Sequence, residues 1–380
     1  MPLLHKFAGV VVVCAVVLGL ILPGARRDDG GDAAEAGRAG AASEAKPVDA
    51  EHAARPGAGA TAVPAPGGAS GAPSASGTAP MRAAAPAAAA AKANELGQVP
   101  VLMYHRILAE AEQSLDRSTK ELYDELTRLA KGGYTPITAT ELASGRIDVP
   151  AGRHPVVLTF DDSTPGHFAL DAHGRPKADT AVGIIQRVAQ ENPGFRATAT
   201  FYLNKDMFGL KAAEASTALQ WLRQHGYDLG NHTSSHPNLG GLSAAEVRKE
   251  IGGLEDEVVK LTGAHTGTLA YPFGVAPEKE EWAREERGRY AFQGMFLAGW
   301  RPAPSPFGED FDRWAIPRVR SEGKIKENDC EKYCSTAWLE YLDRHPQERY
   351  TSDGDPGTVT IPRGLQDSLA PQYRGYARVY

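Results

Sequence analysis

The stretch that decides the fold is Pro155-Val156-Val157-Leu158-Thr159-Phe160-Asp161-Asp162-Ser163. Its apolar and β-branched residues run without polar alternation, which is typical of a strand buried on both faces of a parallel sheet. Two adjacent carboxylates, Asp161 and Asp162, follow the apolar run directly. Because α/β sheets and barrels place their active sites at the carboxyl ends of strands, both are candidate functional residues. An Asp-rich turn after an ordinary strand is the alternative interpretation of this stretch alone.

Patterns typical of strands and helices alternate on both sides of this stretch. Two capping boxes, Ser118 with Glu121 and Ser243 with Glu246, predict helix starts. Apolar periodicity predicts further helices over 180–190, 218–225, 282–289 and 335–342, and strands over 99–106, 197–203, 227–230, 268–271, 291–297 and 315–319. The alternation predicts an α/β fold with a parallel sheet or barrel.

The first part of the 380-residue chain has a composition of its own. Residues 1–27 contain Lys6, an apolar run over 7–22 and a basic end, which is typical of an export signal. The run is near the lower limit of a membrane-spanning helix, roughly 17–25 residues. A cleaved signal peptide and a retained N-terminal membrane anchor both fit, with the anchor preferred. Either predicts that the rest of the chain is exported, to the cell envelope or the extracellular space.

Residues 28–95 are rich in Ala, Gly, Pro and Ser, so we predict a disordered linker that acts as a spacer. Residues 96–380 are long enough for one α/β catalytic domain, with a C-terminal extension from about residue 325. The net charge of −6 and the absence of a basic cluster give no indication of nucleic-acid binding. Oligomeric state is not predicted.

Two cysteines, Cys330 and Cys334, lie outside the N-terminal apolar run. In an exported chain this spacing favours a local disulfide, with two free thiols as the alternative. The sequence near them offers no further ligands for a zinc site.

A pair of histidines, His232 and His236, follows the predicted strand over 227–230. Such a pair alone is a weak signal for a metal. An Asp-Asp pair at a second strand end makes it much stronger, because parallel strands bring their carboxyl ends together. Three ligands of nitrogen and oxygen type, with open positions, are typical of a catalytic zinc site or a related divalent-metal site.

Three motifs resemble those of the polysaccharide deacetylases, carbohydrate esterase family 4 with its NodB homology domain. They are Thr159-Phe160-Asp161-Asp162, His232-Thr233-Ser234-Ser235-His236 and Tyr271-Pro272-Phe273-Gly274. The resemblance implies a deformed (β/α) barrel and metal-dependent removal of acetyl groups from a polysaccharide. It implies that Asp162, His232 and His236 hold the metal and that Asp161 is the general base.

The resemblance also implies the cofactor: a divalent metal, zinc by preference, with cobalt and nickel as alternatives. Such an ion polarises the acetyl carbonyl and lowers the pKa of water towards about 7. An ordinary carboxylate is then an adequate base. By family likeness, the backbone N–H of Tyr271 donates to the developing oxyanion.

The sequence departs from the common family pattern at two places: the histidine that serves as general acid and the arginine that orients the base. The histidine-bearing strand that many members carry near their end is missing, whereas Met103-Tyr104-His105-Arg106 resembles the front strand of the permuted poly-N-acetylglucosamine deacetylases. We therefore predict His105 as the general acid, with a structural histidine as the alternative. Ala270 stands where many members carry a base-orienting arginine, and Arg318 or Arg320 is predicted to replace it.

Other residues near the motifs are weaker candidates. Ser163 replaces a frequent glycine, so the loop after it is expected to differ and to alter the cleft. For His167 a surface loop is preferred to a functional role. Trp300 and Trp314 are candidates for stacking on sugar rings or for ordinary packing, and substrate-binding residues are not otherwise predicted.

The sequence therefore predicts an exported metal-dependent hydrolase that removes N-acetyl groups from an amino-sugar polymer such as poly-N-acetylglucosamine, peptidoglycan or a chitin-like chain. Two alternatives stay open. One is an O-acetyl esterase of the acetyl-xylan type on the same barrel. The other is a non-catalytic protein that binds a cell-wall glycan.

Overall fold

The computed structural model describes residues 81–322 and 330–380. The predicted signal or anchor and most of the predicted linker lie outside these residues, so the structure does not bear on them. Within the two described ranges, no helix is both long and apolar enough to cross a membrane.

The strands alternate with the helices along the chain. The strands are β1 (Arg82–Ala83), β2 (Val101–Tyr104), β3 (Ile107–Leu108), β4 (Arg117–Ser118), β5 (Tyr134–Ile137), β6 (His154–Phe160), β7 (Thr200–Leu203), β8 (Asp228–Asn231), β9 (Thr268–Ala270), β10 (Glu285–Glu286), β11 (Tyr290–Ala291), β12 (Gly294–Phe296), β13 (Val319–Arg320), β14 (Val359–Ile361) and β15 (Ala377–Val379). The helices are α1 (Pro86–Ala90), α2 (Thr119–Lys131), α3 (Ala139–Ser144), α4 (Ala181–Glu191), α5 (Ala212–Gln224), α6 (Ala244–Thr262), α7 (Glu281–Arg284), α8 (Cys330–Tyr333) and α9 (Ser335–Arg344).

An eight-stranded parallel sheet forms the centre of the described domain. Its strand order is β12-β9-β8-β7-β6-β2-β13, and β5 pairs with the first half of β6. The chain after β12 joins the two edges: Ile316 pairs with Phe296 of β12, and β13 pairs with β2. The sheet is therefore curled into the deformed (β/α) barrel that the sequence and the family resemblance predicted.

Side-chain alternation along the strands produces two layers of core. On β6, Leu158 and Phe160 pack outward against the helices. Val157 and, from β7, Tyr202 pack on the opposite face with Phe296 of β12, which is the barrel interior. Because β6 is buried on both faces along its whole length, its uninterrupted apolar sequence has a direct structural reason.

Both predicted capping boxes are confirmed. Ser118 accepts a hydrogen bond from the Glu121 N–H at the start of α2, and Ser243 does the same for Glu246 at the start of α6. Other boundaries were wrong. α5 begins at Ala212 rather than 218, and α7 ends at Arg284 because the chain then forms the β10–β11 hairpin. The strand predicted over 291–297 is two short strands, and that predicted over 315–319 is β13 with a single bridge before it.

The predicted end of the disordered linker at residue 95 is also wrong. β1 and α1 are ordered, and Ala93 is fully buried. The reason is a tertiary partner at the other end of the chain: β1 pairs with β15, which pairs with β14, in a parallel three-stranded sheet. The C-terminal extension thus supplies the surface on which this Ala-rich segment folds.

Candidate active site

The candidate residues meet at the carboxyl edge of the barrel. Asp161 and Asp162 follow β6, and His232 follows β8. Tyr104 of β2 pairs with Phe160 of β6, so the next residues along these strands, His105 and Asp161, are neighbours at the same edge. The register of three strands thus brings together residues that are far apart in the sequence.

Asp162, His232 and His236 form a cluster with the dimensions of a metal site. The Asp162 Oδ1 lies 3.6 Å from His232 Nε2 and 3.5 Å from His236 Nε2. All the potential ligand atoms lie within 4.8 Å of one another. Ligands at about 2.0–2.1 Å from a tetrahedral zinc ion are roughly 3.3 Å apart, so little adjustment would be needed. The set fits a divalent ion with two nitrogen ligands and one oxygen ligand.

The protonation of His232 suits it for this role. Its Nδ1 lies 2.7 Å from the carbonyl oxygen of Ala270 and donates to it, which leaves the Nε2 lone pair directed at the cluster. Burial lowers the pKa of His232, although the neighbouring carboxylates oppose this effect. The ring is therefore held neutral, in the tautomer that a metal ligand requires.

The loops that carry the cluster are conformationally strained. Seven non-glycine residues in the described ranges have positive φ, and five lie in the three motif loops: Asp162 (73°), Ser163 (43°), Thr233 (67°), His236 (56°) and Phe273 (59°). Residues in this region cost free energy and persist only where the surroundings impose them, which is common at functional sites. The Phe273 ring lies 4.6 Å from the His236 ring, so two of the strained loops are in contact.

Arg318 holds both carboxylate oxygens of Asp161. Its Nη1 donates to Asp161 Oδ1 and its Nη2 to Oδ2, each at 2.7 Å. Arg318 Nε donates to the carbonyl of Leu297, and Nη1 also donates to the hydroxyl of Thr159. The pair is almost fully buried. Arg320, the other residue considered for this place, instead pairs with Glu322 at 3.2 Å.

The charge environment keeps Asp161 ionised. Burial would raise its pKa, but the charge and hydrogen bonds of Arg318, together with His232, outweigh burial and hold the pKa well below the ordinary value. Asp161 Oδ2 lies 3.8 Å from His232 Nε2, so the carboxylate is next to the cluster rather than part of it. This is a suitable position for a base that acts on a molecule held by the cluster.

His105 lies beside Asp161 at the carboxyl edge of the barrel. Its electrostatic influence is among those that lower the pKa of Asp161. Its Nδ1 is buried and has no hydrogen-bond partner among the described residues. The predicted role of His105 as general acid stays a prediction, and the structure adds that the ring is close to the candidate base.

The contacts of Tyr271 correct one prediction. Its backbone N–H donates to the carbonyl of Phe296 at 3.0 Å, continuing the pairing of β9 with β12. This N–H is therefore already engaged and is not available here as the donor to an oxyanion. The Tyr271 ring is buried, and its hydroxyl lies against Met295.

The weaker candidates lie at different depths in the structure, and one of them contradicts its prediction. His167, predicted on a surface loop, is fully buried. Trp300 is 46% exposed, whereas Trp314 packs under the guanidinium of Arg284 at 4.8 Å. Ser163 accepts a hydrogen bond from the N–H of Asn204, which fixes the loop after β6.

Sequence reasoning missed two residues that support the site. Thr159 binds Arg318, and alternation along β6 would have indicated it, because residues two apart face the same side. Asn231 precedes His232: its Oδ1 accepts from the Thr233 N–H, and its Nδ2 donates to the buried Glu255. No local pattern points to the Glu255 contact.

A second group of possible ligands lies near the C-terminal extension. Cys330 and Cys334 form a disulfide, as the spacing predicted. Contrary to the expectation of no further ligand, the buried carboxylate of Glu322 lies 2.9 Å from the Cys330 sulfur. Because both sulfurs are bonded to each other, this group is not a thiolate site.

Fold and site together define an α/β barrel with an Asp-His-His cluster at the carboxyl ends of its strands. A family model described as polysaccharide deacetylase matches residues 148–290, a range that includes all three motifs. The resemblance predicted from those motifs is thus confirmed, and this part of the chain carries the sequence signature of the polysaccharide deacetylases. His105 and Arg318 lie outside the matched range.

Similarity to individual proteins covers parts of the chain. A peptidoglycan-N-acetylglucosamine deacetylase from Bacillus cereus is 29% identical over 157 residues, which are 41% of this chain and 50% of that protein. The chain thus spans half of that relative's length. A Streptococcus pyogenes deacetylase solved in complex with acetate aligns with 63% of this chain and 98% of its own, at 19% identity and a TM-score of 0.48. A polysaccharide deacetylase structure from Bacillus cereus aligns with 59% and 64%, at 23% identity and a TM-score of 0.45.

Proposed function

We propose that this protein is an exported, metal-dependent hydrolase that removes N-acetyl groups from an amino-sugar polymer. The observation that carries the proposal is the Asp162–His232–His236 cluster beside the buried Asp161–Arg318 pair. The family signature and the name of the Bacillus cereus relative support the reaction and the substrate class. Zinc is the preferred ion, and the N-terminal segment is the proposed means of export or membrane attachment.

Each residue then has a defined task in hydrolysis. Asp162, His232 and His236 would hold the ion, which polarises the acetyl carbonyl and lowers the pKa of water when bound. Asp161 accepts the proton of the attacking water, since its oxygens lie beside the cluster and keep a lone pair free of Arg318. Arg318 fixes the plane of that carboxylate. His105, at the neighbouring strand end, donates a proton to the leaving amine nitrogen.

The preference for an amide substrate over an ester substrate rests on the proposed general acid, His105. The nitrogen of an amide leaves only when it is protonated, whereas the weakly basic phenolate of an activated ester leaves without a proton. A histidine at the same edge of the barrel as the cluster is therefore more useful to an amidase. The glycan-binding alternative has no need for a buried arginine that holds a carboxylate ionised beside a metal cluster.

The test combines metal content with acetate release. The purified full-length chain is expected to hold about one zinc, cobalt or nickel ion, lost in His232→Ala and kept in Asp161→Ala. The wild type should release acetate from acetylated amino-sugar oligomers, and Asp161→Ala should reduce turnover by about 100-fold or more.

Three outcomes would contradict the proposal. Normal turnover in Asp161→Ala would exclude that residue as the base. Acetate release from acetylated xylan but not from amino-sugar oligomers would favour the esterase. A wild-type chain that holds no metal after zinc is supplied would favour the glycan-binding protein.

A further inference from the structure

His167 is a buried polar residue that the proposed reaction leaves unexplained. It lies on the segment between Asp162 and α4, yet it is fully buried. Its ring packs edge-on against Phe160 at 5.3 Å and near Phe201 at 6.0 Å, among side chains of the outer core. An apolar side chain would suit such surroundings better, because a buried imidazole must lose its hydration.

Within the described residues, one hydrogen bond of the His167 side chain is found, and it joins the ring to the candidate acid. Its Nε2 lies 2.6 Å from the backbone carbonyl oxygen of His105. A carbonyl can only accept, so Nε2 carries the proton and donates it. The His167 Nδ1 has no hydrogen-bond partner among the described residues, so this contact is the one specific polar interaction found for the ring. Burial lowers the pKa of His167 to about 4, which keeps the ring neutral.

The backbone around His167 packs closely against the chain that follows β2. A Cβ placed on Gly166 would lie 2.0 Å from the carbonyl oxygen of Ile107, so only glycine permits this approach. On its other side, the segment is held by the start of α4: the Ala181 N–H donates to Gly166 and the Val182 N–H to His167. Residues 166 and 167 thus lie between α4 and the chain that leaves β2.

In the part of the chain that the structure describes, one nitrogen of the His105 ring has no polar group to orient it. Its Nδ1 is buried without a hydrogen-bond partner among the described residues. A histidine that moves protons is commonly oriented by a carboxylate or carbonyl at its other nitrogen. No such partner is found at Nδ1 among the described residues, and the backbone that carries the ring is held by His167 through the His105 carbonyl.

We propose that His167 is a positioning residue: by donating its Nε2–H to the His105 carbonyl, it fixes the end of β2 and so the place of the His105 ring beside Asp161. The inference rests on the proposed function, in which His105 protonates the leaving amine. Among the described residues, no hydrogen bond or ring contact joins His167 to the Asp162–His232–His236 cluster or to Asp161, although the charges of Asp162 and Asp161 oppose the effect of burial on its pKa.

Two variants of similar length test the hydrogen bond. Glutamine carries an N–H at about the distance of the histidine Nε2 from Cβ, whereas methionine carries no donor. His167→Met should lower amide turnover at least about 10-fold while changing hydrolysis of an activated ester, p-nitrophenyl acetate, less than about two-fold. His167→Gln should restore most of the amide turnover. Metal content should not change in either variant.

A double-mutant cycle with His105 distinguishes a positioning role of His167 from a general loss of structure. In a His105→Ala background, His167→Met should cause no further loss of amide turnover, because the group it positions is absent. Additive losses, equal losses on amide and ester, or a His167→Gln variant as impaired as His167→Met would each overturn the proposal. A second variant, Gly166→Ala, covers the case in which His167→Met does not fold. It displaces the same segment from Ile107 and should show the same selective loss of amide turnover. An equal loss on amide and ester in this variant would refute the proposal.

A measurement that does not depend on turnover distinguishes failure of this inference from failure of the proposed function. In ring-labelled protein, the NMR signal of His105, assigned by its absence in His105→Ala, should shift in His167→Met and return in His167→Gln. An unchanged signal in His167→Met would overturn the inference even if the enzyme is active. A wild type that releases no acetate, with the signal shifted as expected, would overturn the proposed function but not the contact.

Discussion

At the scale of single residues, Asp161 and Arg318 form an ion pair that is almost fully buried. Burying two charges is costly, and the cost is offset only when the geometry is good and the other hydrogen-bonding groups are satisfied. Arg318 meets this condition with two parallel bonds to Asp161 and a third to Leu297. Arginine suits this place because its planar group binds both carboxylate oxygens at once.

Arg318→Lys should therefore impair catalysis although it conserves the charge. A single ammonium cannot reproduce the two parallel bonds, so kcat/KM is expected to fall about 10- to 100-fold. Because Arg318 lowers the pKa of Asp161, weakening the pair should raise that pKa and move the acid limb of the kcat/KM profile to higher pH. Measuring kcat/KM across pH on an acetylated amino-sugar oligomer gives both quantities.

Arg320→Lys is the matched control, since Arg320 pairs with Glu322 rather than with Asp161. Its pH profile should follow that of the wild type. If Arg318→Lys kept the wild-type acid limb, Arg318 would not be setting the ionisation of the base.

At the scale of elements, the junction of β8 and α6 shows how a strained loop is held in place. Asn231, at the end of β8, donates to Glu255 in the middle of α6. Glu255 is fully buried and also accepts from the N–H and the hydroxyl of Thr266. One carboxylate thus links β8, α6 and the chain that enters β9, behind the loop that carries both histidines.

Glu255→Ala should be strongly destabilising. Asn231 Nδ2 keeps its bond to the carbonyl of Ile251, but its second N–H and the N–H and hydroxyl of Thr266 lose their acceptor. Each buried group left without a partner costs about 1–3 kcal/mol, so we expect a loss of about 3 kcal/mol or more. The free energy of unfolding from urea titration measures the effect. Glu257→Ala, which removes only an exposed pair with Lys260 on the same helix, should change it by less than about 0.5 kcal/mol. Similar values for the two variants would show that the buried network contributes little.

At the scale of the whole described domain, the segment before the barrel packs against the C-terminal extension. Glu95, just before the barrel, accepts hydrogen bonds from the Thr360 N–H and the Tyr350 hydroxyl of the C-terminal extension. Burial, with the nearby charge of Asp353, raises the pKa of Glu95 from 4.5 to about 8. The contact between Glu95 and the C-terminal extension therefore favours a protonated carboxyl group.

This raised pKa predicts that stability falls with rising pH. Between 4.5 and about 8 the folded chain retains a proton on Glu95 that the unfolded chain has released. The stabilisation is complete below 4.5 and is lost as pH rises towards 8, with a slope of at most about 1.4 kcal/mol per pH unit. Glu95→Gln should flatten the dependence of the unfolding midpoint on pH in this window.

The exposed Glu110 provides the control for this prediction. Glu110→Gln should keep the slope of the wild type. If Glu95→Gln and the wild type lost stability in parallel as pH rises, another group would be responsible for the pH dependence.

Much of the fold could be predicted from local sequence patterns. The apolar run of β6 predicted a doubly buried strand, and the two capping boxes predicted the starts of α2 and α6. Weak local signals failed: the helix predicted over 282–289 is one turn followed by a hairpin, because pairing of β10 with β11 outweighs helix propensity there.

For the site, the sequence by itself determined the residue types and their motif spacing, and with the family resemblance it predicted the cluster of Asp162, His232 and His236. The tertiary structure decided the rest. It selected Arg318 rather than Arg320 as the partner of Asp161, 157 residues away, and it buried His167 against His105. In the tertiary structure the Tyr271 N–H also takes part in strand pairing, and residues 81–95 fold against the C-terminal extension. The physical reason is common to all four: each depends on which strands become neighbours, and strand neighbours are set by packing of the whole barrel rather than by the residues adjacent in sequence.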